Sequence, residues 1–311
     1  MTEMSRSAAL PRQPVETERV RRPHEERAAW GLVAPAAMLI TLILALPMAA
    51  VVALSLTDYQ LGAEAWRFVG AANYADLAAD PVFWRSIVNT VVYVVEVVAG
   101  STALGLATAL MLQGSGVLAP VWRTVFFLPV MASLIAMAIV WEFMLHPTFG
   151  LVNGMLGLVG IAPVNWLQNS ATALPALAVI GIWQQFGFAM VLFLAGLSGI
   201  PQALYDAAEM DGAPSAWSRF RLVTWPLLAP VTLFVVVIST IRSFQVFDTV
   251  HALTKGGPNK ATEVLLYTMY AEGFEFFRTG RAAAIAVLFV AAMLVLTLTK
   301  VVVVEKRIHL K

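Results

Sequence analysis

The sequence contains no cysteine, and only 13% of its 311 residues are charged. The first absence removes disulfides, thiolate nucleophiles, zinc ribbons and iron–sulfur clusters. The second is about half the charge content of an ordinary soluble domain, so a water-soluble enzyme is not the expectation. An excess of positive charge is missing too, since 20 Lys and Arg stand against 19 Asp and Glu. Nucleic-acid readers concentrate basic charge, so no nucleic-acid partner is expected. No Gly-x-x-x-x-Gly-Lys-Ser/Thr run occurs, and the chain therefore lacks that loop for cradling the phosphates of ATP. His24-Glu25-Glu26-Arg27-Ala28 starts like a zinc-protease helix but has alanine where the second histidine belongs. No metal site and no catalytic residues are expected. What the chain has in abundance is apolar character: 59% hydrophobic residues and a mean hydropathy of +0.78. That excludes disorder and indicates an all-α protein that crosses a membrane several times.

A helix crosses hydrocarbon with about 20 apolar residues, so charge-free stretches of that length mark the spans. None of the residues from Ala28 to Thr57 is charged, and the first span is expected over 30–56. Between Arg85 and Arg123 the only charge is Glu96, and Gly114-Ser115-Gly116 with Pro120 supplies a reversal. Spans two and three are placed at 86–112 and 121–145. The stretch from Thr124 to Tyr205 has Glu142 as its only charge, and is broken by His146-Pro147-Thr148-Phe149-Gly150 and Ala162-Pro163-Val164-Asn165. Span four follows at 172–198, span five at 226–247 after Trp225-Pro226, and span six at 281–304. Residues 1–29 form an N-terminal tail expected to be flexible, residues 30–304 the membrane domain, and 305–311 a C-terminal tail.

Six spans put both termini on one side. Basic residues near span ends are retained in the cytoplasm. Arg6, Arg12, Arg19, Arg21, Arg22 and Arg27 lie at one end and Lys306, Arg307 and Lys311 at the other, so both termini are expected in the cytoplasm. The first span is about twice as long as a signal-peptide core, which argues against cleavage.

This topology leaves one sizeable cytoplasmic loop, 199–224. Pro201 suits a first helical turn and Gln202 to Met210 are mostly good helix formers. Gly212 permits the positive φ that ends a helix, and Pro214 can open the next. Two short helices joined by a sharp turn are marginal in water, so a partner must pack on them. Ala207 and Ala208 offer a small surface for close approach, ringed by Asp206, Glu209 and Asp211. Those acids would be repelled by an anionic inner leaflet, which favours a protein partner presenting Arg or Lys.

Asp206-Ala207-Ala208-Glu209-Met210-Asp211-Gly212-Ala213, followed by Phe220, Pro226 and Pro230, resembles the coupling loop of binding-protein-dependent ABC importer permeases. The likeness is closest to the first permease of the carbohydrate and glycerol-phosphate branch. Further matches are Val33-Ala34-Pro35, Phe126-Phe127-Leu128-Pro129, Thr254-Lys255-Gly256-Gly257-Pro258, Glu272-Gly273-Phe274 and Glu305-Lys306-Arg307. Asp206 departs from the pattern, standing where the family usually has glutamate. The resemblance implies the type I importer permease architecture with six transmembrane helices in the bacterial inner membrane. It also implies that Asp206, Ala207, Ala208, Glu209, Asp211, Gly212 and Ala213 dock into an ATP-hydrolysing subunit. The implied partners are a second, homologous permease, two ATP-binding subunits, an extracytoplasmic solute-binding protein and membrane lipid. ATP and Mg would be used by the partners, and no cofactor is implied for this chain.

Polar residues inside apolar spans are costly and are functional candidates. Span four carries Gln184, Gln185 and Phe188, with Trp183 read as packing; span five carries Ser239, Arg242, Ser243 and Gln245. Amides and hydroxyls bind sugar OH groups and aromatic faces stack on sugar rings. Ser239 and Ser243 share a helical face, as do Gln185 and Phe188. Arg242 has two readings open, pairing with Asp248 or meeting an anionic solute group of the glycerol-phosphate type. A rival mechanism, proton-coupled transport, would use Glu96, Glu142 or Asp248. The loops 149–159 and 256–259 are expected to form a short surface helix and a turn.

Overall fold

Asp80 sets the start of the longest helix. Its backbone is extended, its carboxylate accepts from the Val82 amide at 2.8 Å, and Pro81 follows at the first helical position. This combination satisfies an orphan N–H and presets the helical φ. The computed structural model describes residues 23–114 and 116–308. The remaining parts of both tails and Ser115 of the predicted reversal lie outside the described residues. Residues 23–29 of the expected flexible tail are helical, as are 305–308.

The helices are α1 (Pro23–Ile40), α2 (Leu46–Ser55), α3 (Ala72–Ala79), α4 (Pro81–Leu112), α5 (Ala119–Met131), α6 (Leu134–Met144) and α7 (Leu151–Leu158). They continue with α8 (Ala173–Ser198), α9 (Gln202–Met210), α10 (Ala216–Arg219), α11 (Trp225–Phe244), α12 (Leu265–Tyr270) and α13 (Thr279–Ile308). The fold is all-α, and the described residues form only one isolated bridge, between Thr57 and Phe68. Five helical segments are long and apolar enough to cross a membrane, and the α5–α6 pair makes a sixth if counted as one.

The described residues up to Ala50 form one unit and those from Val51 onward another. In the first, α1 runs through a π-helical turn at Thr41–Ala45 into α2, and Leu32, Met38, Ile43 and Leu46 are exposed along it.

The second unit is built on α4 and α8. They run parallel, because Gly181 meets Tyr93 and Val97 while Gly105 meets Ala189. A Cβ at Gly105 would stand 2.6 Å from that of Ala189, and one at Gly187 would overlap the Phe126 carbonyl on α5. In lipid, where apolar burial drives little association, such small-residue contacts let helix backbones approach and pack. Helix α11 runs antiparallel to α8: Leu228 and Leu197 share one buried cluster, and Ser243 meets Gln185.

Three boundaries differ from expectation. The span predicted at 121–145 is two helices bent by 102°, with Ala132 and Ser133 both in extended conformations. Pro129, four residues ahead of Ser133, removes one helical donor just before the break. The second span starts at Pro81 rather than 86, and the fifth ends at Phe244 rather than 247.

The end of the bundle where α4 begins is tied by polar contacts across distant sequence. Arg281 pairs with Asp80 and lies 3.4 Å from Glu272, whose other oxygen is 2.9 Å from Arg278. Burial pushes the Glu272 carboxyl above its ordinary range, and Arg281 and Arg278 pull it back only in part. Asn89 donates to the carbonyls of Lys260 and Glu263 at 3.0 and 2.9 Å, and Thr90 accepts from the Leu265 amide at 2.9 Å. These bonds strap the 255–263 turn, with Lys255, Gly256, Asn259 and Lys260 at positive φ, onto α4. Asn153 on α7 binds the backbone of His146, Pro147 and Val164 and the Trp166 indole.

Candidate functional site

Two regions, at the middle and at one end of the second unit, gather the residues singled out in the sequence. The first is a cavity of about 210 Å³ lined by Val130, Gln184, Gln185, Arg242 and Gln245. Val130 comes from the last turn of α5, the two glutamines from α8, and Arg242 and Gln245 from the end of α11. Gln245 closes α11, its amide donating to the Arg242 carbonyl at 3.2 Å.

Gln185 is 8% exposed. Its Nε2 donates to Ser243 Oγ at 3.4 Å, while its Oε1 is buried with no partner. An unpaired buried amide oxygen costs about 1–3 kcal/mol, so the site holds acceptor capacity that a ligand hydroxyl would satisfy. The Arg242 guanidinium lies 4.4 Å over the Phe188 ring, a favourable cation–π distance. The anticipated Arg242–Asp248 pair is not among the ion pairs of the described residues. Of the seven candidates on these helices, Gln184, Gln185, Arg242 and Gln245 line the cavity, Phe188 and Ser243 adjoin it, and Ser239 does not border it. Ser239 is buried in the helix packing at 2% exposure. Trp183 stacks edge-on against Trp141 at 5.4 Å.

Val130 is the lining residue that sequence reasoning missed. An apolar residue inside an apolar run carries no signal, and only the bend after Met131 reveals it.

A larger cavity, about 730 Å³, lies at the end where α4 begins. Trp84, Arg85 and Asn259 are among its lining, with Val88, Val92 and Leu174, and Glu96 deeper along α4. Its lining is mainly apolar but also includes the Arg85 guanidinium, the Asn89 and Asn259 amides and the Glu96 carboxyl, whereas four of the five residues lining the smaller cavity are amides or a guanidinium. Glu142 is exposed.

The second region is the 199–224 loop, at the end opposite Asp80. Helix α9 stops where Gly212 takes φ +88°. The Asp211 amide then returns to the Ala207 carbonyl and the Ala213 amide to Ala208, both at 2.9 Å. Ser215, not Pro214, opens the next turn by accepting from the Ser218 amide at 3.0 Å. Glu209 pairs with Arg219 at 3.3 Å, and Tyr205 and Thr224 hydroxyls meet at 3.1 Å. The two short helices therefore brace each other. Asp206, held by Gln202 at 3.1 Å, Ala207, Asp211 and Gly212 are exposed, Ala208 is half-buried and Ala213 buried. Beside them Met210 and Trp217 are 88% and 71% exposed.

A family model described as "Binding-protein-dependent transport system inner membrane component" matches residues 101–309. The chain is 36% identical over 285 residues to the inner membrane ABC transporter permease protein YcjO of Escherichia coli (strain K12), covering 90% of this chain and 93% of that one. It is 34% identical over 274 residues to the lactose transport system permease protein LacF of Rhizobium radiobacter, covering 87% and 91%. It is 40% identical over 199 residues to the trehalose/maltose transport system permease protein MalF of Thermococcus litoralis, covering 63% and 66%. Among solved structures, a chain of a bacterial ABC transporter involved in the import of the acidic polysaccharide alginate superposes with a TM-score of 0.78 at 22% identity. The match covers 91% of this chain and 96% of that one.

Proposed function

Because the chain belongs to the family of binding-protein-dependent transport system inner membrane components, we propose that it is one permease half of an ATP-driven importer of a carbohydrate or polyol. The observation that carries the solute class is the cavity where three amides and one guanidinium converge between apolar helices. Hydrogen-bonding side chains held in such helices are costly unless they serve a pathway, and amides match the paired donor and acceptor character of hydroxyls. The names of the lactose and trehalose/maltose relatives support the same class.

In this reading the positive charge near both chain ends holds the termini and the 199–224 loop in the cytoplasm. Two ATP-binding subunits supply the ATP and Mg chemistry, one of them receiving the α9–α10 turn. A second, homologous permease completes the pathway. A solute-binding protein delivers the solute at the Asp80 end. Closure of the ATPase pair pushes the turns together and opens the cavity outward; hydrolysis returns it to face inward. No bond in the solute changes.

The test is uptake by the complete assembly in proteoliposomes. ATP-dependent accumulation of a sugar or polyol that stops without the ATPase subunits is expected. Uptake that persists without them and collapses with a proton uncoupler would replace this reading with proton-coupled transport through Glu96, Glu142 or Asp248.

A further inference from the structure

Six large apolar side chains at the Asp80 end of the second unit are each more than half exposed. Leu61, Trp66 and Phe68 come from the loop after α2, and Phe274, Phe276 and Phe277 from the segment before α13. Hydrogen bonds make one surface of the two segments. The Leu61 amide donates to the Phe277 carbonyl at 3.0 Å, and the Gly280 amide to the Tyr59 carbonyl at 2.8 Å. The loop is closed by the bridge between Thr57 and Phe68 and by the Arg67 amide, which donates to the Asp58 carboxylate at 2.5 Å. Asn73 ties its root to the helix by donating to the Ser55 and Thr57 carbonyls, both at 2.8 Å. The rings therefore sit on a built knuckle.

Phe277 adds a second, independent observation. Its φ is +57°, in the left-handed region that a residue with a Cβ enters only at a cost and that glycine commonly fills where a helix ends. The backbone holds it there from both sides. The Phe276 amide donates to the Ala271 carbonyl at 2.8 Å and the Arg278 amide to the Glu272 carbonyl at 2.7 Å. Glycine would close the same turn without the cost. Half of the Phe277 ring lies outside the protein, so contacts within this chain offset little of it, and backbone strain of this kind collects where a side chain serves something beyond the fold.

Position identifies what the rings meet. Phe68 is bridged to Thr57, two residues past the end of α2, and Phe277 stands two residues before α13 begins. Both helices belong to segments long and apolar enough to cross a membrane. The ends of such segments lie at the boundary between hydrocarbon and headgroups, the depth at which aromatic rings are enriched. Trp84, 54% exposed on the first turn of α4, is a further ring at this end.

We propose that the knuckle is a membrane anchor. Trp66, Phe68, Phe274, Phe276 and Phe277 lie in the headgroup–acyl boundary of the leaflet at the Asp80 end, and the left-handed turn at Phe277 holds its ring in that layer. The partner is the lipid surface, whatever solute the transporter carries.

The chain has no cysteine, so single introduced thiols can report depth. Phe68→Cys and Phe277→Cys are each labelled with an NBD dye in the assembled transporter, its other subunits made free of cysteine, in vesicles of phosphatidylethanolamine and phosphatidylglycerol. Lipids carrying a doxyl group near the top of the acyl chain are expected to quench both dyes about two-fold or more, and aqueous iodide to be about five-fold less effective than on the free dye. Added solute-binding protein should change neither figure. Full quenching by iodide with none by lipid would put the rings in water and overturn the anchor. Shielding from both quenchers would assign the patch to another subunit, and loss of lipid quenching on adding the solute-binding protein would assign it to that protein; either result overturns the proposal. Phe277→Gly removes ring and strain together and should melt no lower than wild type in detergent. A fall of several degrees would show that the ring packs within the protein and would also overturn it.

Discussion

Gln185 Nε2 lies 3.4 Å from Ser243 Oγ, joining α8 to α11 across 58 residues of sequence at the wall of the polar cavity. The contact is long for a hydrogen bond, so the pair holds the amide loosely enough for a ligand hydroxyl to take it over. Gln185→Leu should raise the solute concentration for half-maximal uptake by roughly ten-fold, the equivalent of one lost polar contact. Ser243→Ala should change it by less than about three-fold. Measuring uptake against concentration at matched protein levels separates them; equal behaviour of both variants would remove Gln185 from the solute path.

The close approach of α5 and α8 depends on Gly187, because the Phe126 carbonyl occupies the place of a Cβ. Gly187→Leu must push backbone against backbone, and overpacking of this kind costs about 1–3 kcal/mol. The variant should melt several degrees below wild type in detergent. Gly154→Leu, where a Cβ meets nothing within 4 Å, should not. Unchanged melting of the Gly187 variant would refute the packing.

At Gly212 the backbone φ of +88° is one that a β-branched residue adopts only at a cost of about 1–2 kcal/mol or more. Gly212→Val should reshape the turn between α9 and α10 and lower co-purification of the ATPase subunits. Trp217→Ala, which removes an exposed ring without touching the turn, should weaken the same association while leaving the melting temperature in place. Retention of full ATPase association by both variants would move the docking surface elsewhere.

Arg281 faces two acids at once, Asp80 and Glu272. Arg281→Met leaves Asp80 without its cation and Glu272 with Arg278 alone, and removing one partner of a partly buried pair costs up to about 3 kcal/mol. A loss of thermal stability that Asp80→Asn in the same chain partly restores is expected. No rescue by the second change would show that the three groups do not act together.

The helices of this fold were legible wherever charge or glycine punctuated them. The stretch 172–198 stands out because it is free of charge, and Pro201 with Gly212 frames α9 in the sequence itself. The α5–α6 break was not legible. Residues 121–145 are apolar on both sides of Ala132-Ser133, so hydropathy runs straight through the corner. The start of α4 was written in Asp80-Pro81, but the charge at Arg85 drew the boundary inward. For the cavity, helical spacing put Gln185 with Phe188 and Ser239 with Ser243 on their own helices. Which faces meet depends on helix rotation, and only packing against α4 and α5 settles that. Ser239 shares the face of Ser243 by spacing, yet one turn along the helix is enough to take it away from the cavity.

The contacts of α4 with the last third of the chain have a bearing on how the protein is made. Asn89, Thr90 and Asp80 find their partners at Glu263, Leu265 and Arg281, some 170 to 200 residues later. During synthesis α4 enters the bilayer long before those residues leave the ribosome, so three polar groups at its leading end must wait in water or in the insertion machinery. A nascent chain arrested before residue 260 would present them without the partners that cover them in the full-length protein.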